Sequence, residues 1–351
     1  MTVDTSFPSV PLVATSDRFV LSVRDLHVGF RSRGATAEVV RGVDFDVRPG
    51  ETLGVVGESG SGKSVTMLSL MGLLPRSARV TGHVVLDGAD LLAMKEKQVR
   101  QLRGSTVGFV FQDPMTSLNP VQSLGAQIAE AIRIHHRDVS RADALARAIE
   151  LLRVVGVGNP EGRARQYPHE FSGGMRQRAM IAMAIANKPA VIIADEPTTA
   201  LDVTIQAQVI DVLDAAQRET GAAVILISHD LGLVAECADR IAVMYAGRIV
   251  ETGRVREIFD APRHPYTKSL LECLPSIDTA HERLKIIPGE PPDPARVLQG
   301  CSFVARCWLS HSRQLCRDEE PELRVVDTGG HVSACHFQDD AELRSPAGVP
   351  V

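Results

Sequence analysis

The chain contains a glycine-rich stretch whose residue types and spacing suit phosphate binding. Residues 57–64 read Gly-Glu-Ser-Gly-Ser-Gly-Lys-Ser, which fits the pattern G-x-x-x-x-G-K-S. Glycines let backbone N–H groups approach phosphate oxygens, and the N-terminus of the following helix favours their negative charge. We expect Lys63 to reach the outer phosphates and Ser64 to ligate Mg²⁺. The loop residues expected to hold the other phosphate oxygens are Gly57, Ser59, Gly60, Ser61 and Gly62.

Two adjacent carboxylates, Asp195 and Glu196, come directly after the apolar run 191–194, which reads as a strand. In open α/β sheets, ligands bind at the carboxyl ends of parallel strands. We expect Asp195 to contact Mg²⁺ through water and Glu196 to act as the general base that activates an attacking water. A pair of surface charges is the alternative, and the apolar run before them makes it the weaker interpretation.

Two further polar residues follow strand-like runs. His229 comes after residues 224–228, and Gln112 comes after a run that ends at Phe111. Alone, either residue would more often be structural. Together with the loop and the acidic pair, we expect His229 to contact the terminal phosphate and to hold the geometry of the attacking water. Gln112 is expected to link Mg²⁺ and that water to movement of the helical segment that follows it.

Strand-like and helix-like runs alternate along most of the chain, which predicts an α/β fold with a mostly parallel sheet. The segment 114–189 is helix-like, and the segments 83–92 and 240–252 read as hairpins. After residue 262 the chain becomes rich in Pro and Cys. The predicted domains are a disordered lead (1–17), a nucleotide-binding domain (18–262, with a helical subdomain at about 114–189), a small C-terminal domain (263–340) and a disordered tail (341–351).

Composition argues against several kinds of protein. Hydrophobic residues make up 44% of the 351 residues, which is ample for a core. The net charge of −5 argues against a general grip on nucleic acid, which needs a basic face. No apolar run approaches the roughly 18 residues of a membrane span, and residues 1–17 lack the features of a signal peptide. We therefore expect a cytoplasmic protein that reaches a membrane only through partners.

Residues 171–177, Phe-Ser-Gly-Gly-Met-Arg-Gln, resemble the signature commonly written L-S-G-G-Q in the nucleotide-binding domains of ATP-binding cassette (ABC) transporters. With the other motifs in this order, the resemblance extends over about residues 19–262. The chain departs from the signature at Phe171 and Met175 but keeps the serine and both glycines. The resemblance implies an α/β P-loop cassette with a RecA-like core, an antiparallel β subdomain and an inserted helical subdomain, to which this chain adds a small Cys-rich C-terminal module.

In that family two cassettes face each other head to tail, and ATP lies between the phosphate loop of one and the signature of the other. The resemblance therefore implies that this chain needs a second cassette, identical or related, to hydrolyse ATP. Asp202 matches the D-loop, Gln112 matches the Q-loop, and Phe30 is the best candidate to stack on adenine. The signature residues implied to contact the partner's ATP are Ser172, Gly173, Gly174 and Met175.

Several stretches resemble the oligopeptide/dipeptide importer ATPases within this family. They are residues 57–64, 113–120, 263–267, 274–275, 289–292 and 300–307. This resemblance covers about residues 19–338 and implies an ATP-hydrolysing peptide translocase, peripheral at the cytoplasmic face of the inner membrane. The implied partners are two integral membrane permease subunits, a second ATPase subunit and an extracytoplasmic substrate-binding protein, with no nucleic acid.

Two other functions remain open. Nickel or another small solute could be the cargo, because the ATPase never needs to touch it. A soluble ABC ATPase that acts on DNA or ribosomes is the second alternative. The short gap between Gln112 and Ser172, the single cassette and the acidic balance all weigh against it.

Four cysteines lie near the C-terminus, namely Cys301, Cys307, Cys316 and Cys335, separated by 5, 8 and 18 residues. In a cytosolic chain they suggest a metal site rather than disulfides. The spacing lacks the close pairs typical of structural zinc and suits an iron–sulfur cluster; zinc and no metal are the alternatives. Some peptide-importer ATPases carry a [4Fe–4S] cluster at matching cysteines, so the resemblance favours the cluster, which we expect to stabilise a module that lacks its own core.

Overall fold

Residues 19–32, 35–199, 201–274, 286–293, 299–310, 313–327 and 329–344 are described by the structure, a computed structural model of the chain. The predicted lead lies outside these ranges. Of the predicted tail, residues 341–344 are helical and the rest lies outside the described residues. Within the described ranges, no helix is both long enough and apolar enough to cross a membrane.

The strands are β1 (Leu21–Ser32), β2 (Ala35–Val47), β3 (Thr52–Val56), β4 (Ala78–Leu86), β5 (Ala89–Asp90), β6 (Val107–Val110), β7 (Val191–Asp195), β8 (Ala223–Ser228), β9 (Arg240–Tyr245), β10 (Arg248–Arg254), β11 (Arg324–Val325) and β12 (Val332–Ser333). The α-helices are α1 (Lys63–Leu70), α2 (Glu96–Leu102), α3 (Pro114–Ser117), α4 (Leu124–His135), α5 (Arg141–Val154), α6 (Pro160–Arg163), α7 (Gly173–Ala184), α8 (Val203–Thr220), α9 (Leu231–Cys237), α10 (Val255–Asp260), α11 (Pro265–Glu272), α12 (Gln314–Asp318) and α13 (Ala341–Arg344). Single 3₁₀ turns are found at Leu91–Ala93, Pro168–Glu170 and Val304–Arg306.

The larger sheet has the order β11-β12-β10-β9-β3-β8-β7-β6 across the described residues. Strands β9, β3, β8, β7 and β6 are parallel, and β10, β12 and β11 continue the sheet antiparallel. Strands β3, β7 and β8 are buried along their whole length, which explains why they read as unbroken apolar runs. The predicted α/β class is confirmed, and the carboxyl ends of the parallel strands meet at one edge.

A smaller antiparallel sheet, β2-β1-β4-β5, packs against one face of the larger one. The turn between β4 and β5 is Asp87-Gly88, with φ of 47° and 80°, and Leu86 pairs with Ala89. Both central residues have positive φ, as the tight two-residue hairpin turn requires. This turn confirms the hairpin predicted over residues 83–92.

Helices α3 to α7 occupy the chain between β6 and β7, where the sequence predicts a helical insertion. Leu124, Ile128 and Ile132 recur at every fourth position of α4 and are buried, so this helix presents one apolar face to the core. Leu151 of α5 and Ile181 of α7 are fully buried in the same core. The helical insertion, which links Gln112 to the N-terminus of α7, therefore shares one apolar core with the parallel sheet.

The C-terminal region is joined to the cassette by both backbone and side chains. Strand β12 pairs with β10, with Glu251 opposite Ser333, and β11 pairs with β12. Tyr245, Tyr266 and Phe303 form an aromatic cluster with centroids 4.6 to 5.4 Å apart inside the main core. The expectation of an appended Cys-rich module stabilised by a metal is not supported, because these described residues share the sheet and the core of the cassette.

A buried polar group holds the turn that leads from β10 into the C-terminal region. Glu251 has no exposed surface and accepts hydrogen bonds from the backbone N–H groups of Arg263 (2.6 Å) and His264 (3.0 Å). The ring Nδ1 of His264 accepts from the N–H of Tyr266 at 3.1 Å and so caps α11. Burial lowers the pKa of His264 to about 3, so the folded protein keeps this ring neutral.

Replacing His264 with Asn is expected to reduce the acid sensitivity of the fold. In the unfolded chain histidine takes up a proton below pH 6.5, whereas the folded protein resists protonation down to about pH 3. The stabilising effect of the neutral ring is thus complete above pH 6.5 and is lost progressively below it. Between pH 7 and pH 5 the free energy of unfolding of the wild type should fall by about 2 kcal/mol more than that of the variant.

Urea unfolding at the two pH values measures this difference. Asn is the matched replacement because its side-chain oxygen can still cap α11. Equal pH dependence of the two proteins would contradict the burial of a neutral histidine.

Candidate functional site

The glycine-rich loop lies between the end of β3 and the start of α1, with its backbone pressed against its neighbours. Gly62 has φ of 100°, and a Cβ there would lie 2.9 Å from the carbonyl oxygen of Val39. At Gly57 a Cβ would lie 2.1 Å from the carbonyl oxygen of Met244. Only glycine fits either position. The loop therefore presents backbone and the uncapped first turn of α1 to the space above it.

A cavity of about 310 Å³ opens above this loop. Its lining comes from β2, the loop, α1 and the three predicted catalytic residues. The lining residues are Val39, Ser59, Gly60, Gly62, Lys63, Ser64, Val65, Gln112, Glu196 and His229. Gln112 follows β6, Glu196 follows β7 and His229 follows β8. The parallel sheet thus delivers the side chains that follow three separate strands to one space, as predicted.

Lys63 lies along the loop. Its Nζ donates to the carbonyl oxygens of Gly57 (2.8 Å) and Glu58 (2.9 Å), and the residue is 5% exposed. Burial lowers the pKa of Lys63, while the nearby charges of Glu196, Asp195 and Glu58 oppose this effect. A cation held in this way can exchange its two carbonyl partners for a phosphate.

Ser64 and Asp195 meet at the floor of the site. The Ser64 hydroxyl donates to Asp195 Oδ1 at 2.8 Å, and Asp195 is 6% exposed. Burial raises the pKa of Asp195 above its usual range, because the charged carboxylate is poorly solvated there. A hydroxyl and a buried carboxylate are oxygen ligands of the kind Mg²⁺ prefers, so this pair suits the predicted metal.

Glu196 is held with unusual backbone geometry. Its φ of 45° lies in the left-handed region, and its N–H donates to the carbonyl oxygen of Ile227 at 3.0 Å. Such a residue costs of order 1–3 kcal/mol and persists only where its surroundings enforce it. Glu196 Oε2 accepts from Gln112 Nε2 (3.1 Å) and Thr199 Oγ1 (2.7 Å), with His229 Nδ1 at 3.5 Å. The carboxylate is therefore aimed into the cavity.

Thr199 is a contributor that the sequence analysis missed. It lies three residues after Glu196, and the Glu-Pro-Thr-Thr run is the only local signal for this contact. Val39 was missed as well, since nothing local shows that β2 passes beside the loop. Phe30, the predicted adenine contact, lies on β1 of the smaller sheet, is partly buried against the core and is not among the cavity-lining residues.

The signature residues lie elsewhere. Ser172 precedes α7 without a side-chain cap, and Ser172 and Gly173 are exposed. A Cβ on Gly174 would lie 2.8 Å from Cγ2 of Ile205, so this glycine lets α7 pack closely on α8. Met175 is half-buried in the first turn. None of these four residues lines the cavity above the phosphate loop of the same chain.

Asp202 has a structural role that the sequence analysis did not anticipate. Its Oδ1 accepts from the N–H of Ile205 at 3.0 Å and caps the N-terminus of α8. The expected D-loop comprises residues 200–202, and Ala200, two residues before Asp202, lies outside the described residues.

The four C-terminal cysteines converge on a second, smaller cavity. Cys301, Cys307, Cys316 and Cys335 all line it, together with apolar side chains such as Phe303 and Leu309. Burial raises the pKa of Cys301 to about 11 and that of Cys335 to about 12, and it also raises the pKa values of Cys307 and Cys316. Among the described residues, however, no three His, Cys, Asp or Glu side chains are arranged so that they could hold a metal ion. A preformed metal centre is therefore not found.

Two protein-family models match the chain. The model described as "ABC transporter" matches residues 40–199, and the model described as "Oligopeptide/dipeptide transporter, C-terminal region" matches residues 250–316. The segments that carry the phosphate loop, signature and acidic pair fall in the first match, and Cys301, Cys307 and Cys316 fall in the second.

Curated relatives are similar over most of the chain. A probable peptide ABC transporter ATP-binding protein of Sinorhizobium fredii is 50% identical over 319 residues, which cover 90% of this chain and 94% of that protein. The dipeptide transport ATP-binding protein DppD of Bacillus subtilis is 48% identical, with 91% and 95% covered. The oligopeptide transport ATP-binding protein OppD of Mycobacterium tuberculosis is 50% identical over 331 residues. These residues cover 94% of this chain and 54% of that longer protein.

Solved structures share the fold. A dimeric ATP-binding cassette in a post-hydrolysis state, bound to ADP and Pi, has a TM-score of 0.61 and 25% identity, covering 67% of this chain and 99% of that one. The protein cbiO1 of Clostridium perfringens, part of the ABC transporter complex cbiONQ, has a TM-score of 0.60 and 26% identity, covering 69% and 91%.

Proposed function

Because this chain belongs to the ABC transporter family, as an ATP-binding subunit of the oligopeptide/dipeptide type, we propose that it binds and hydrolyses ATP to drive the import of di- or oligopeptides across a membrane. The observation that carries the proposal is the cavity in which the phosphate loop, Gln112, Glu196 and His229 face one another. About 50% identity to peptide transporter subunits over some nine-tenths of the chain supports the cargo class.

The phosphate loop supplies the binding part of the mechanism. Backbone N–H groups of the loop hold the phosphates, and Lys63 leaves its two carbonyl partners to reach the outer ones. Ser64, Asp195 and Gln112 would hold Mg²⁺, which would neutralise charge on the phosphates. Ser61 supports this assignment because its buried Oγ has no hydrogen-bond partner among the described residues and lies in the loop that would surround the anion.

Glu196 supplies the base. Its carboxylate takes a proton from the water that attacks the terminal phosphate, and the hydrogen bonds from Gln112 and Thr199 keep it oriented. His229, more than half exposed at the cavity edge, contacts the same phosphate and fixes the position of that water. Gln112 connects this machinery to α3 and to the helical insertion, since only Asp113, the N-cap of α3, separates it from that helix.

We propose that a second cassette, identical or related, completes the site. The signature residues Ser172 to Met175 do not line the cavity of their own chain, and Ser172 and Gly173 at the start of α7 are exposed. A head-to-tail pair would place them over the partner's ATP, with Asp202 at the junction. The similarity to a solved cassette that is dimeric with ADP and Pi supports this arrangement. Phe30 remains our candidate for the adenine contact.

The transport partners belong to the same proposal. Two integral membrane permease subunits and an extracytoplasmic substrate-binding protein would complete the importer, with this chain peripheral at the cytoplasmic face of the membrane. A groove of about 520 Å³ includes Phe111, the residue before Gln112, in its lining. Most of its lining is apolar, including the exposed Phe111 and Ile134, and Arg100, Arg103 and His135 add polar groups, so the groove suits the binding of a permease helix. We also propose that the chain divides into segments 1–17, 18–262, 263–340 and 341–351.

We also propose that the four cysteines hold a metal, with a [4Fe–4S] cluster as the first candidate and Zn²⁺ as the second. Their convergence on one cavity supports this, because residues separated by 5, 8 and 18 positions have no local reason to meet. Their raised pKa values mean that binding must release protons, which a bound cation makes favourable. The thiols must also close together around the metal.

Replacing Glu196 with Gln tests the proposed hydrolysis. The amide cannot take the proton, so turnover of ATP by the assembled transporter should fall at least about a hundredfold, the usual share of a general base. ATP binding should be retained, and the closed pair should accumulate on size-exclusion chromatography. Glu161→Gln, which removes an exposed carboxylate paired with Arg153, is the matched control. Unchanged hydrolysis in Glu196→Gln would remove the base from the mechanism.

Metal analysis tests the cysteine proposal. Transporter purified without oxygen should contain about four irons and four acid-labile sulfides per chain. The variant Cys307→Ala should lose them, whereas Cys237→Ala should not, since Cys237 lies on α9 outside the cavity. Zinc without sulfide would establish the second candidate. A folded chain with neither metal would contradict the proposal.

A further inference from the structure

The C-terminal region contacts the phosphate loop directly through one ion pair. Arg306 lies in the 3₁₀ turn Val304–Arg306, and Glu58 is the second residue of the loop. The guanidinium Nη1 lies 2.8 Å from Glu58 Oε2, and Nη2 lies 2.9 Å from Glu58 Oε1. This is the two-pronged geometry in which an arginine holds a carboxylate most firmly.

The pair is shielded from water. The side chain of Arg306 is 5% exposed and that of Glu58 is 23% exposed. The remaining donors of the guanidinium are also used, since Nε donates to the carbonyl oxygen of Pro288 at 2.9 Å and Nη1 is 3.3 Å from the hydroxyl of Tyr245. Loss of one partner would leave a buried charge without compensation.

Glu58 connects this pair to the residue that is expected to bind phosphate. Its carbonyl oxygen accepts from Lys63 Nζ at 2.9 Å, and its N–H donates to the hydroxyl of Tyr266 at 2.9 Å. The carboxylate, the carbonyl and the N–H of one loop residue therefore each have a different partner. Two of these partners, Arg306 and Tyr266, lie in the C-terminal region.

The same C-terminal segment reaches the loop by a second route. Ser302 Oγ accepts from Arg41 Nη2 at 2.7 Å, and Arg41 Nε donates to the carbonyl oxygen of Ala246 at 3.1 Å. The next residue, Gly247, donates its N–H to the carbonyl oxygen of Ser61 at 2.9 Å. Residues 302–306 thus contact the loop directly and also through the turn between β9 and β10.

We propose that Arg306 is a positioning residue for the nucleotide site, which holds the phosphate loop in its binding conformation through Glu58. The C-terminal region thereby sets the affinity of the cassette for nucleotide. This inference rests on the proposed function, since it assumes that the loop binds the phosphates of ATP. It adds a role for the C-terminal region that does not depend on metal, although Cys301 and Cys307 flank the segment that carries it.

Nucleotide affinity of the full-length chain tests this role. Titration calorimetry with ADP and Mg²⁺ avoids turnover and measures Kd directly. Arg306→Gln should raise Kd about tenfold, within the range typical of coupled sites. Arg306→Lys keeps the charge but cannot form the two-pronged contact, so its Kd should be intermediate. In the assembled transporter, Arg306→Gln should raise KM for ATP and leave kcat nearly unchanged, because Glu196 is not touched.

The control is Arg313→Gln, which breaks an ion pair with Asp340 (3.0 Å) in the same C-terminal region. A general loosening of this region would weaken ADP binding in both variants, whereas the proposed role predicts weakening in Arg306→Gln alone. Urea unfolding of each variant shows whether it is folded under the conditions of the titration.

Glu58→Gln weakens the same contact from the side of the loop. It therefore tests the inference even if Arg306→Gln fails to fold. Its Kd should also rise, and the double variant should be no weaker than the weaker single variant, because both remove one contact. A folded Arg306→Gln, or in its place Glu58→Gln, whose Kd equals that of the wild type would overturn the inference. Lys63→Ala distinguishes a failure of this inference from a failure of the proposed function. Normal ADP binding by Lys63→Ala would overturn the proposed function itself.

Discussion

The close packing of backbone around the phosphate loop is the constraint on which the rest of the site depends. The loop runs against the strand-turn β9–β10 on one side, where Gly57 meets the carbonyl oxygen of Met244 and Gly247 donates to Ser61. Gly62 meets the carbonyl of Val39 in β2. Since none of these contacts leaves room for a Cβ at the glycines, the loop has one available path. That path sets where α1 begins and where Lys63 and Ser64 point.

Around this loop the fold assembles charges that are costly without a ligand. Burial lowers the pKa of Lys63 and raises that of Asp195, so each charged form is poorly solvated in the folded protein. Phosphate beside the lysine and Mg²⁺ beside the carboxylate would relieve both penalties. The left-handed backbone at Glu196 is a further local cost, and it is enforced by the end of β7 and the bond to Ile227.

The sequence predicted the features that local residues decide. The apolar run 191–194 was correctly predicted to be a strand, and the structure extends it by one residue to Asp195 in β7. The hairpins predicted over residues 83–92 and 240–252 were also found, with turns at Asp87-Gly88 and Ala246-Gly247 whose residues have positive φ. The helix-like pattern over residues 63–74 predicted a longer helix than the structure has. Helix α1 ends at Leu70, and Gly72 follows with φ of 60°, a common way to end a helix.

Long-range contacts could not be predicted in this way. Nothing near residue 332 shows that β12 pairs with β10, and nothing near Arg306 shows that it meets Glu58. The resemblance to a family supplied the roles of the signature and of Asp202, but not the capping contact that Asp202 makes within its own chain. The C-terminal region was expected to need a metal for lack of a core, whereas its aromatic residues share the core of the cassette.

Uptake of a labelled di- or oligopeptide into proteoliposomes tests the central claim most directly. The vesicles would hold this chain with its permease subunits and second ATPase, with the substrate-binding protein added on the opposite side from ATP. Peptide should accumulate only when ATP and Mg²⁺ are on the side of this chain. Hydrolysis of ATP that proceeds without movement of any peptide, while nickel or another small solute accumulates, would contradict it.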